Sequence, residues 1–312
     1  MKKNKSVDIL LGVAIGDALG VPVEFKSRTY LQKNPVADMI GFGTHKQPAG
    51  TWSDDSALTF CLAEALIDGY TIEKSANYLL KWYTENYWTA NGDVFDIGNT
   101  TLKVIVKLKN GVAAHESGLK NEQSNGNGSL MRMSPLIVFL SERTIEERFK
   151  FIKEESSITH AHNISIIACF YFVEFGIKLL KGHDKNDVYK ELQIEIPEFL
   201  NKQSIQKSEL SVFERLLVDD IYVKQEKDIK STGFVLHTLE ASMWCILNSS
   251  SFEEAVLKAV NLGDDTDTTA SVVGALAAII YGIEAMPEKW IEMIARKDDI
   301  IDLGNRLQKL IK

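Results

Sequence analysis

Two short segments of the chain concentrate oxygen-bearing side chains directly ahead of apolar stretches. The first is Gly-Thr-Trp-Ser-Asp-Asp-Ser at 50–56, and the second is Gly-Asp-Asp-Thr-Asp-Thr-Thr at 263–269. Either one alone is typical of a helix start, because Ser, Thr and Asp cap helices and acidic first turns complement the helix dipole. One cap needs one oxygen, whereas each segment supplies adjacent carboxylates and flanking hydroxyls. Together they favour a site where buried carboxylates either protonate or share a cation.

Shared cations are the simpler interpretation of these two acidic segments. Oxygen ligands without Cys or His point to Mg²⁺, Mn²⁺ or Ca²⁺ rather than to zinc or copper. The Asp-x-Asp at 265–267 resembles the start of a calcium loop, but the Gly and the later bidentate Glu of an EF-hand are missing. Two carboxylate clusters that face one another suit a pair of metals about 3.5–4 Å apart.

The elements that must position these side chains are predicted to be helices. Apolar residues recur at steps of three and four, which is the period of a helix with one buried face. Examples are Leu58, Cys61, Leu62, Ala65 and Leu66; Phe172, Phe175, Leu179 and Leu180; and Leu236, Leu239, Met243 and Ile246. Long alternating runs of Val, Ile and Thr are missing, so no set of strands is predicted.

Helix starts and polar interruptions predict how the chain is organised. We predict helix starts at Ser75, at Ser141–Thr144, at Ser251 and at Pro287. Residues 111–129 are rich in Gly, Asn and Ser and residues 195–232 are strongly polar, so both are interpreted as surface excursions of one domain. The predicted fold class is all-α, a compact multi-helix single domain spanning residues 1–312.

Charge and hydropathy argue against two classes of partner. The chain carries 43 acidic and 35 basic residues and has no basic tract, which argues against generic nucleic-acid binding. The Lys-rich start could imitate a signal peptide, but Asp8 and Asp17 interrupt the apolar stretch that follows it. No stretch approaches the roughly 20 apolar residues of a membrane-spanning helix, so we expect no membrane partner.

The cysteines indicate a reducing compartment. Cys61, Cys169 and Cys245 are isolated within apolar stretches, and their odd number and spacing argue against a disulfide framework and against zinc. We expect buried structural thiols in a cytoplasmic protein. The fold needs no partner to close its core, so a monomer is expected.

Seven segments of the chain, taken in order, resemble the motifs of the ADP-ribosylglycohydrolases. They are Gly-Val-Ala-Ile-Gly-Asp-Ala-Leu-Gly-Val-Pro-Val-Glu-Phe (12–25), Ser-Asp-Asp (53–55), Phe-Asp-Ile-Gly-Asn-Thr (95–100), Gly-Asn-Gly-Ser-Leu-Met-Arg (126–132), Thr-His-Ala-His (159–162), Ser-Thr-Gly-Phe-Val (231–235) and Asp-Thr-Asp-Thr (265–268). The Phe-Asp-Ile-Gly segment places the chain nearest the bacterial branch typified by dinitrogenase reductase-activating glycohydrolase.

The resemblance implies an all-α fold that holds two Mg²⁺ or Mn²⁺ ions and removes ADP-ribose from a modified substrate. The matching positions assign six metal ligands, namely Ser53, Asp54, Asp55, Asp265, Asp267 and Thr268. In this family the metals grip the ribose hydroxyls beside the scissile bond, where cleavage builds oxocarbenium-like charge. Metals and carboxylates can therefore orient the sugar and a water molecule without a covalent intermediate.

The resemblance also implies catalytic residues. Glu24 matches a family acid beside the metals, although a Glu after a turn-forming Pro can simply be solvated. Asp96 is the candidate general acid or base, or the partner of a substrate guanidinium; an Asp in this setting is also a common helix cap. Asp17 is interpreted as a support for the helix rather than as a ligand.

The implied substrate contacts lie in three other motifs. The loop of Gly126, Asn127, Gly128 and Ser129 supplies backbone N–H groups and room for a diphosphate, although such a loop is often only a turn. His160, His162 and Phe234 are further candidates for contact with ADP-ribose.

The sequence departs from the family pattern at three of these positions. Ser53 stands where Thr is commoner, and the hydroxyl is kept. Asp264 stands where Gly is frequent, so it is expected to add charge beside the metals. Phe234 stands where Tyr is frequent, which removes a hydroxyl but keeps the ring. None of the three removes a metal ligand, so an active enzyme is expected.

The sequence is compatible with four functions. The leading one is hydrolysis of ADP-ribosyl-arginine on a protein. The alternatives are hydrolysis of another linkage, such as serine or a small ADP-ribosylated metabolite; an ADP-ribose reader or immunity protein without hydrolytic activity; and a helical structural protein whose acidic segments are only caps.

Overall fold

The computed structural model describes residues 4–203 and 205–310. Within these ranges the chain forms helices and no β-strand beyond three isolated bridges, which confirms the all-α class. The buried apolar side chains form one continuous hydrophobic cluster. The first three residues of the Lys-rich start, and the last two of the predicted 1–312 domain, lie outside the described ranges.

The helices follow one another with short connections. The α-helices are α1 (Lys5–Gly20), α2 (Arg28–Lys33), α3 (Asp54–Ile67), α4 (Ile72–Glu85), α5 (Asn99–Lys109), α6 (Ala114–Ser117), α7 (Ser134–Phe139), α8 (Ile145–Ser157), α9 (Asn163–Leu180), α10 (Lys185–Leu200), α11 (Lys207–Ser211), α12 (Glu214–Leu217), α13 (Val235–Leu247), α14 (Phe252–Val260), α15 (Thr266–Tyr281), α16 (Glu288–Met293) and α17 (Lys297–Gln308). Short 3-10 helices lie at Val21–Val23, Glu122–Ser124, Leu130–Arg132, Ile221–Val223, Glu226–Asp228 and Ile283–Ala285.

Three of the four predicted helix starts are confirmed. Thr144 caps α8 in a capping box with Glu147, Ser251 caps α14 by accepting from the Glu254 N–H, and Pro287 directly precedes α16. The prediction at Ser75 is wrong.

The true start of α4 is one turn earlier than Ser75. Thr71 caps the helix because its hydroxyl accepts from the Lys74 N–H at 3.2 Å. Ser75 is buried inside the first turns, and its own N–H bonds to the Thr71 carbonyl. Both residues are good caps by type, and only the bond that forms distinguishes them.

Helix α1 packs along α15 at small residues. A Cβ on Gly16 would lie 2.0 Å from the Ala270 carbonyl oxygen, and a Cβ on Gly274 would lie 2.0 Å from the Gly12 carbonyl oxygen. Because side chains cannot interpenetrate, any residue larger than glycine would push the two backbones apart. The glycines of α1 are therefore required by close helix approach.

The close contact continues to the end of α1. A Cβ on Gly20 would lie 2.3 Å from the Asp267 Cα. The Thr266 hydroxyl donates to the Gly20 carbonyl at 2.8 Å. The acidic start of α15 is therefore held directly beside the end of α1.

Two helices have the length and hydropathy of a membrane span, which corrects the expectation that no stretch approaches it. They are the run Lys5–Val23 and helix α9, Asn163–Leu180, with mean hydropathy 1.7 and 1.6. The first is entirely buried inside the fold and the second is 78 % buried. Their apolar length is accounted for by packing in the core.

The prediction that residues 111–129 and 195–232 form surface excursions is only partly confirmed. Residues 195–200 belong to α10, so the second excursion begins later than predicted, and it contains α11, α12 and buried Phe213 and Ile221.

The three cysteines are buried and free, as predicted.

Replacing Gly16 by Ala should destabilise the protein, since the added methyl has no room against Ala270. We expect the free energy of unfolding to fall by about 1–3 kcal/mol, the usual cost of overpacking. Urea unfolding measures it. Gly98→Ala is the matched control, because its φ is −62° and its new Cβ would meet nothing closer than 3.9 Å. Equal stability of the two variants would contradict the close helix contact.

Candidate active site

A cavity of about 400 Å³ opens where the starts of α3, α5 and α15 converge. Nine of the residues predicted from the sequence line it. They are Glu24, Asp54, Asp96, Gly126, Asn127, Gly128, His160, Asp265 and Thr268. The structure therefore brings both acidic segments, the candidate acids and the Gly-rich loop to one cavity.

Beneath the cavity the two acidic segments are joined by hydrogen bonds. The Asp55 carboxylate accepts from the hydroxyls of Thr268 at 3.2 Å, Ser53 at 3.2 Å and Ser271 at 3.1 Å. Ser53 also caps α3. The starts of α3 and α15 thus meet face to face, as the metal-site hypothesis requires. Ser271 lay one turn beyond the motif, and its type alone carries no signal.

Asp17 holds the first acidic segment in place. Its carboxylate accepts from the Ser53 N–H at 2.9 Å, the Ser56 N–H at 2.9 Å and the Ser56 hydroxyl at 2.6 Å. Burial raises the pKa of Asp17 to about 6, and these hydrogen bonds oppose the shift. The geometry agrees with a supporting role.

The site gathers carboxylates with little positive charge. Burial, followed by neighbouring carboxylates, raises the pKa values of Asp54, Asp55 and Asp267 well above the ordinary range. The same two causes raise the pKa of Glu24 to about 10. Among the described residues that line the cavity there is no Lys or Arg. The carboxyls must therefore hold protons or share a cation.

The donor set fits a divalent cation. Asp265 Oδ1 and Asp267 Oδ2 are buried oxygens without a hydrogen-bond partner, although buried polar atoms nearly always find one. Carboxylate oxygens of Asp17, Asp55 and Asp267 all lie within 4.8 Å of one another. Acidic oxygens at this spacing match the ligands that Mg²⁺ and Mn²⁺ prefer.

His45 is a site residue that the sequence interpretation missed. Its Nε2 forms a short hydrogen bond with Glu24 and lies 3.9 Å from Asp96 Oδ1. Ligand atoms of Glu24, His45, Asp96 and Asp267 also lie within 4.8 Å of one another. His45 sits in an irregular turn between residues 41 and 48, where no periodicity marks it.

The Gly-rich loop is fixed by main-chain bonds to the start of α13. The Asn127 N–H donates to the Gly233 carbonyl and the Val235 N–H to the Asn125 carbonyl, both at 3.0 Å. The Asn127 amide donates to Asp265 at 2.7 Å, so this predicted substrate contact is engaged with a predicted metal ligand.

Gly128 is confined by the cavity wall. A Cβ there would lie 3.0 Å from the His160 ring and 3.1 Å from the Thr101 hydroxyl. Thr101 belongs to the start of α5, where residues 98–101 also line the cavity and Gly98 provides no side-chain cap. Free N–H groups at a helix start favour an anion, and this feature was also missed.

Three predicted substrate contacts do not line the cavity. Ser129 is fully buried and bonds to Ser156 at 3.0 Å. His162 caps α9 through its Nδ1. Phe234 precedes α13 and packs edge-on against His237. Contact of these three residues with substrate stays a prediction that the geometry does not favour.

Asp264 does not add charge inside the site, contrary to expectation. Its side chain is exposed and lies outside the cavity lining. Its φ is +60°, a left-handed conformation in which Gly is easiest and Asp is tolerated. This explains the frequent Gly at the position.

A buried ion pair supports the Gly-rich loop from behind. Arg132 donates to Glu155 Oε1 at 3.1 Å, to the Gly128 carbonyl at 2.7 Å and to the Thr159 hydroxyl at 3.0 Å. Burial, and then the Arg132 charge, lowers the pKa of His160 to about 3. His160 is therefore a neutral group beside the loop.

The fold and the site define an all-helical protein with a carboxylate cavity suited to a divalent cation. A family model described as ADP-ribosylglycohydrolase matches residues 2–312. The chain belongs to the ADP-ribosylglycohydrolase family, which confirms the resemblance seen in its motifs.

Similar proteins agree with this membership. Two proteins named ADP-ribosylarginine hydrolase Tri1 are 31 % identical (Pseudomonas putida; 96 % of this chain, 76 % of theirs) and 30 % identical (Serratia proteamaculans; 97 % and 79 %). The ADP-ribosyl-[dinitrogen reductase] glycohydrolase of Rhodospirillum rubrum is 23 % identical over 94 % of this chain and 91 % of its own. A solved structure titled ADP-ribosylglycohydrolase-related protein complex covers both chains fully, with TM-score 0.83 and 25 % identity.

Without a cation, stability should fall as the pH rises. At low pH Asp17 and Glu24 are protonated in both the folded and the unfolded protein, so their raised pKa values do not lower the free energy of unfolding there. As the pH rises through the ordinary carboxyl range the unfolded chain ionises first, while the folded groups, with pKa values of about 6 and about 10, hold their protons. We expect the free energy of unfolding in EDTA to fall from about pH 4 upward, to about pH 6 for the Asp17 contribution and to about pH 10 for that of Glu24.

Urea unfolding at each pH, with and without saturating Mg²⁺, measures this effect. Ionised carboxylates bind the cation, so Mg²⁺ should raise stability most at the higher pH. An equal decline in both series would contradict a shared cation.

Breaking the Arg132–Glu155 pair should be strongly destabilising. Arg132→Met leaves Glu155 as a buried unpaired acid, and we expect a loss of about 3–5 kcal/mol in the free energy of unfolding. The double variant Arg132→Met, Glu155→Gln should recover part of that loss in urea unfolding. Additive losses in the double variant would mean that the pair does not act as a unit.

Proposed function

We propose that this protein hydrolyses the bond between ADP-ribose and an arginine side chain of a protein, with two bound Mg²⁺ or Mn²⁺ ions. The observation that carries the proposal is the meeting of the two acidic helix starts beneath a cavity that Asp96 and Glu24 also line. The names of the two relatives at 30–31 % identity support the arginine linkage.

Six side chains would hold the ions. Listed by segment, they are Ser53, Asp54 and Asp55 on one side, and Asp265, Asp267 and Thr268 on the other. When bound, such ions would orient the sugar hydroxyls and a water molecule. The chain's own contribution is the fixed placement of these ligands, which Asp17 and Asn127 secure by hydrogen bonds.

The rest of the substrate is positioned by uncharged groups. The start of α5 and the loop of Gly126 and Gly128 offer N–H groups and space in the wall of the cavity. A diphosphate is anionic and fits there rather than beside the free carboxylates. The ribose then lies over Asp54 and Asp265, with its scissile bond toward Asp96.

We assign proton transfer to an acid in the wall of the cavity. Asp96 lies in the cavity wall with a positive φ of 57°, a left-handed conformation that Asp tolerates. We assign it the transfer of a proton from the attacking water to the guanidine nitrogen that leaves, after which the Asp96 carboxylate pairs with the guanidinium so formed. Glu24, held by His45, orients the reacting groups.

Release of ADP-ribose from arginine-modified protein tests this function. We expect release with Mg²⁺ or Mn²⁺, and none with chelator or in Asp267→Ala. Asp264→Asn is the matched control in the same segment, because its side chain is exposed, and it should keep activity within about twofold, as expected of a surface change. Activity in Asp267→Ala would refute the metal mechanism.

The same assay separates the alternative functions. Faster release from serine-linked protein or from a small ADP-ribosylated metabolite would mean that the enzyme acts on that linkage instead of the arginine linkage. Binding of ADP-ribose without release from any substrate would indicate an ADP-ribose reader. The cytoplasmic location and the monomeric state remain predictions.

A further inference from the structure

Phe25 presents an exposed aromatic ring at the edge of the cavity. The residue is 67 % exposed and lines the cavity directly after Glu24. Its φ is +63°, in the left-handed region that strains side chains larger than Asn or Asp. Exposure and strain both disfavour a phenylalanine here on grounds of stability, so the fold gains nothing from this ring.

The backbone around Phe25 is nevertheless firmly held. The Phe25 N–H donates to the Asp264 carbonyl at 2.7 Å, and the Asp264 N–H donates to the Lys26 carbonyl at 2.8 Å. The Thr44 hydroxyl donates to the Glu24 carbonyl at 2.7 Å. The strained residue is thus fixed from both sides, which is the usual setting of a functional side chain.

Phe25 begins a row of three rings. Its centroid lies 6.1 Å from that of His45, and His45 lies 5.3 Å from Phe95. Carboxylates of Glu24 and Asp96 border the row, the first through its bond to His45. Ring faces beside carboxylates suit a planar cation, because a guanidinium stacks on aromatic faces while its N–H groups bind carboxylates.

The charge of the cavity decides which part of the substrate meets this row. An anionic diphosphate is disfavoured beside Glu24 and Asp96, whereas a cationic guanidinium is favoured there. The group beyond the scissile bond is therefore the part of the substrate that suits the Phe25 row.

We propose that Phe25 is the stacking surface for the acceptor guanidinium and so a specificity-determining residue for arginine-linked substrates. The inference rests on the proposed function and names the residue that recognises its leaving group. His45 lies beside the ring and forms a hydrogen bond with Glu24.

The test compares Phe25→Leu, Phe25→Ala and Phe25→Trp with the wild type. Steady-state release from ADP-ribosylated arginine-containing protein gives kcat/KM, and calorimetry gives the affinity for free ADP-ribose, both with Mg²⁺. Phe42→Ala is the matched control, since Phe42 is 66 % exposed with φ +68° but does not line the cavity. Thermal unfolding checks that each variant is folded.

We expect Phe25→Leu and Phe25→Ala to lower kcat/KM about tenfold, within the range of a lost cation–π contact. Phe25→Trp should match or exceed the wild type, and free ADP-ribose affinity should stay within about twofold, because the product lacks the guanidinium. Phe42→Ala should behave as the wild type.

Three results would overturn the inference in distinguishable ways. An active wild type with an unaffected Phe25→Leu would remove the stacking role alone. Weakened ADP-ribose affinity in Phe25→Ala would make the ring an adenosine contact instead. A wild type that releases nothing from arginine-linked protein would remove the proposed function, and this inference with it.

Discussion

The contact between α1 and α15 is the constraint on which the site depends. Gly12, Gly16 and Gly274 let the two backbones touch, with added Cβ atoms at 2.0–2.3 Å from the facing carbonyls. At that separation Asp17 of α1 and Asp267 of α15 come within 4.8 Å of each other. Asp17 in turn fixes the turn that begins α3. Backbone packing therefore sets the positions of the carboxylates before any ligand binds.

Such a carboxylate cluster opposes folding unless its charge is neutralised. Asp54, Asp55 and Asp267 are between 0 and 5 % exposed, and burial raises all three pKa values. A protein can neutralise such groups with protons, but protonated acids are poor ligands. A divalent cation neutralises two charges while it keeps the oxygens ionised. The arrangement that costs stability without a cation is therefore the one that favours cation binding.

The fold class and the centre of the site were predictable because they depend on strong, local signals. The helical spacing of apolar residues and the acidic helix starts predicted α3 and α15. The order of the motifs predicted that Asp54, Asp265 and Thr268 belong to one site, and all three line one cavity. Helix ends were less certain, as Thr71 and Ser75 show, because two competent caps lay four residues apart.

Side-chain direction in irregular segments was not predictable. Within the Gly-rich loop, Asn127 turns to Asp265 and Ser129 turns into the core, and nothing in their types distinguishes the two. His45 reaches Glu24 from a turn without periodicity, so its role depends on a contact between distant parts of the chain. At Asp264 the residue type suggests added charge in the site, whereas the structure shows that the position is governed by the left-handed conformation of the backbone.

We propose that the two acidic helix starts form one two-cation site that binds ADP-ribose. Anomalous diffraction from crystals grown with Mn²⁺ and ADP-ribose would locate the cations. We expect two manganese peaks about 3.5–4 Å apart, the usual spacing of a paired site, between Asp54–Asp55 and Asp265–Asp267 with the ribose over them. Peaks elsewhere, or ADP-ribose bound with no manganese between these segments, would contradict it.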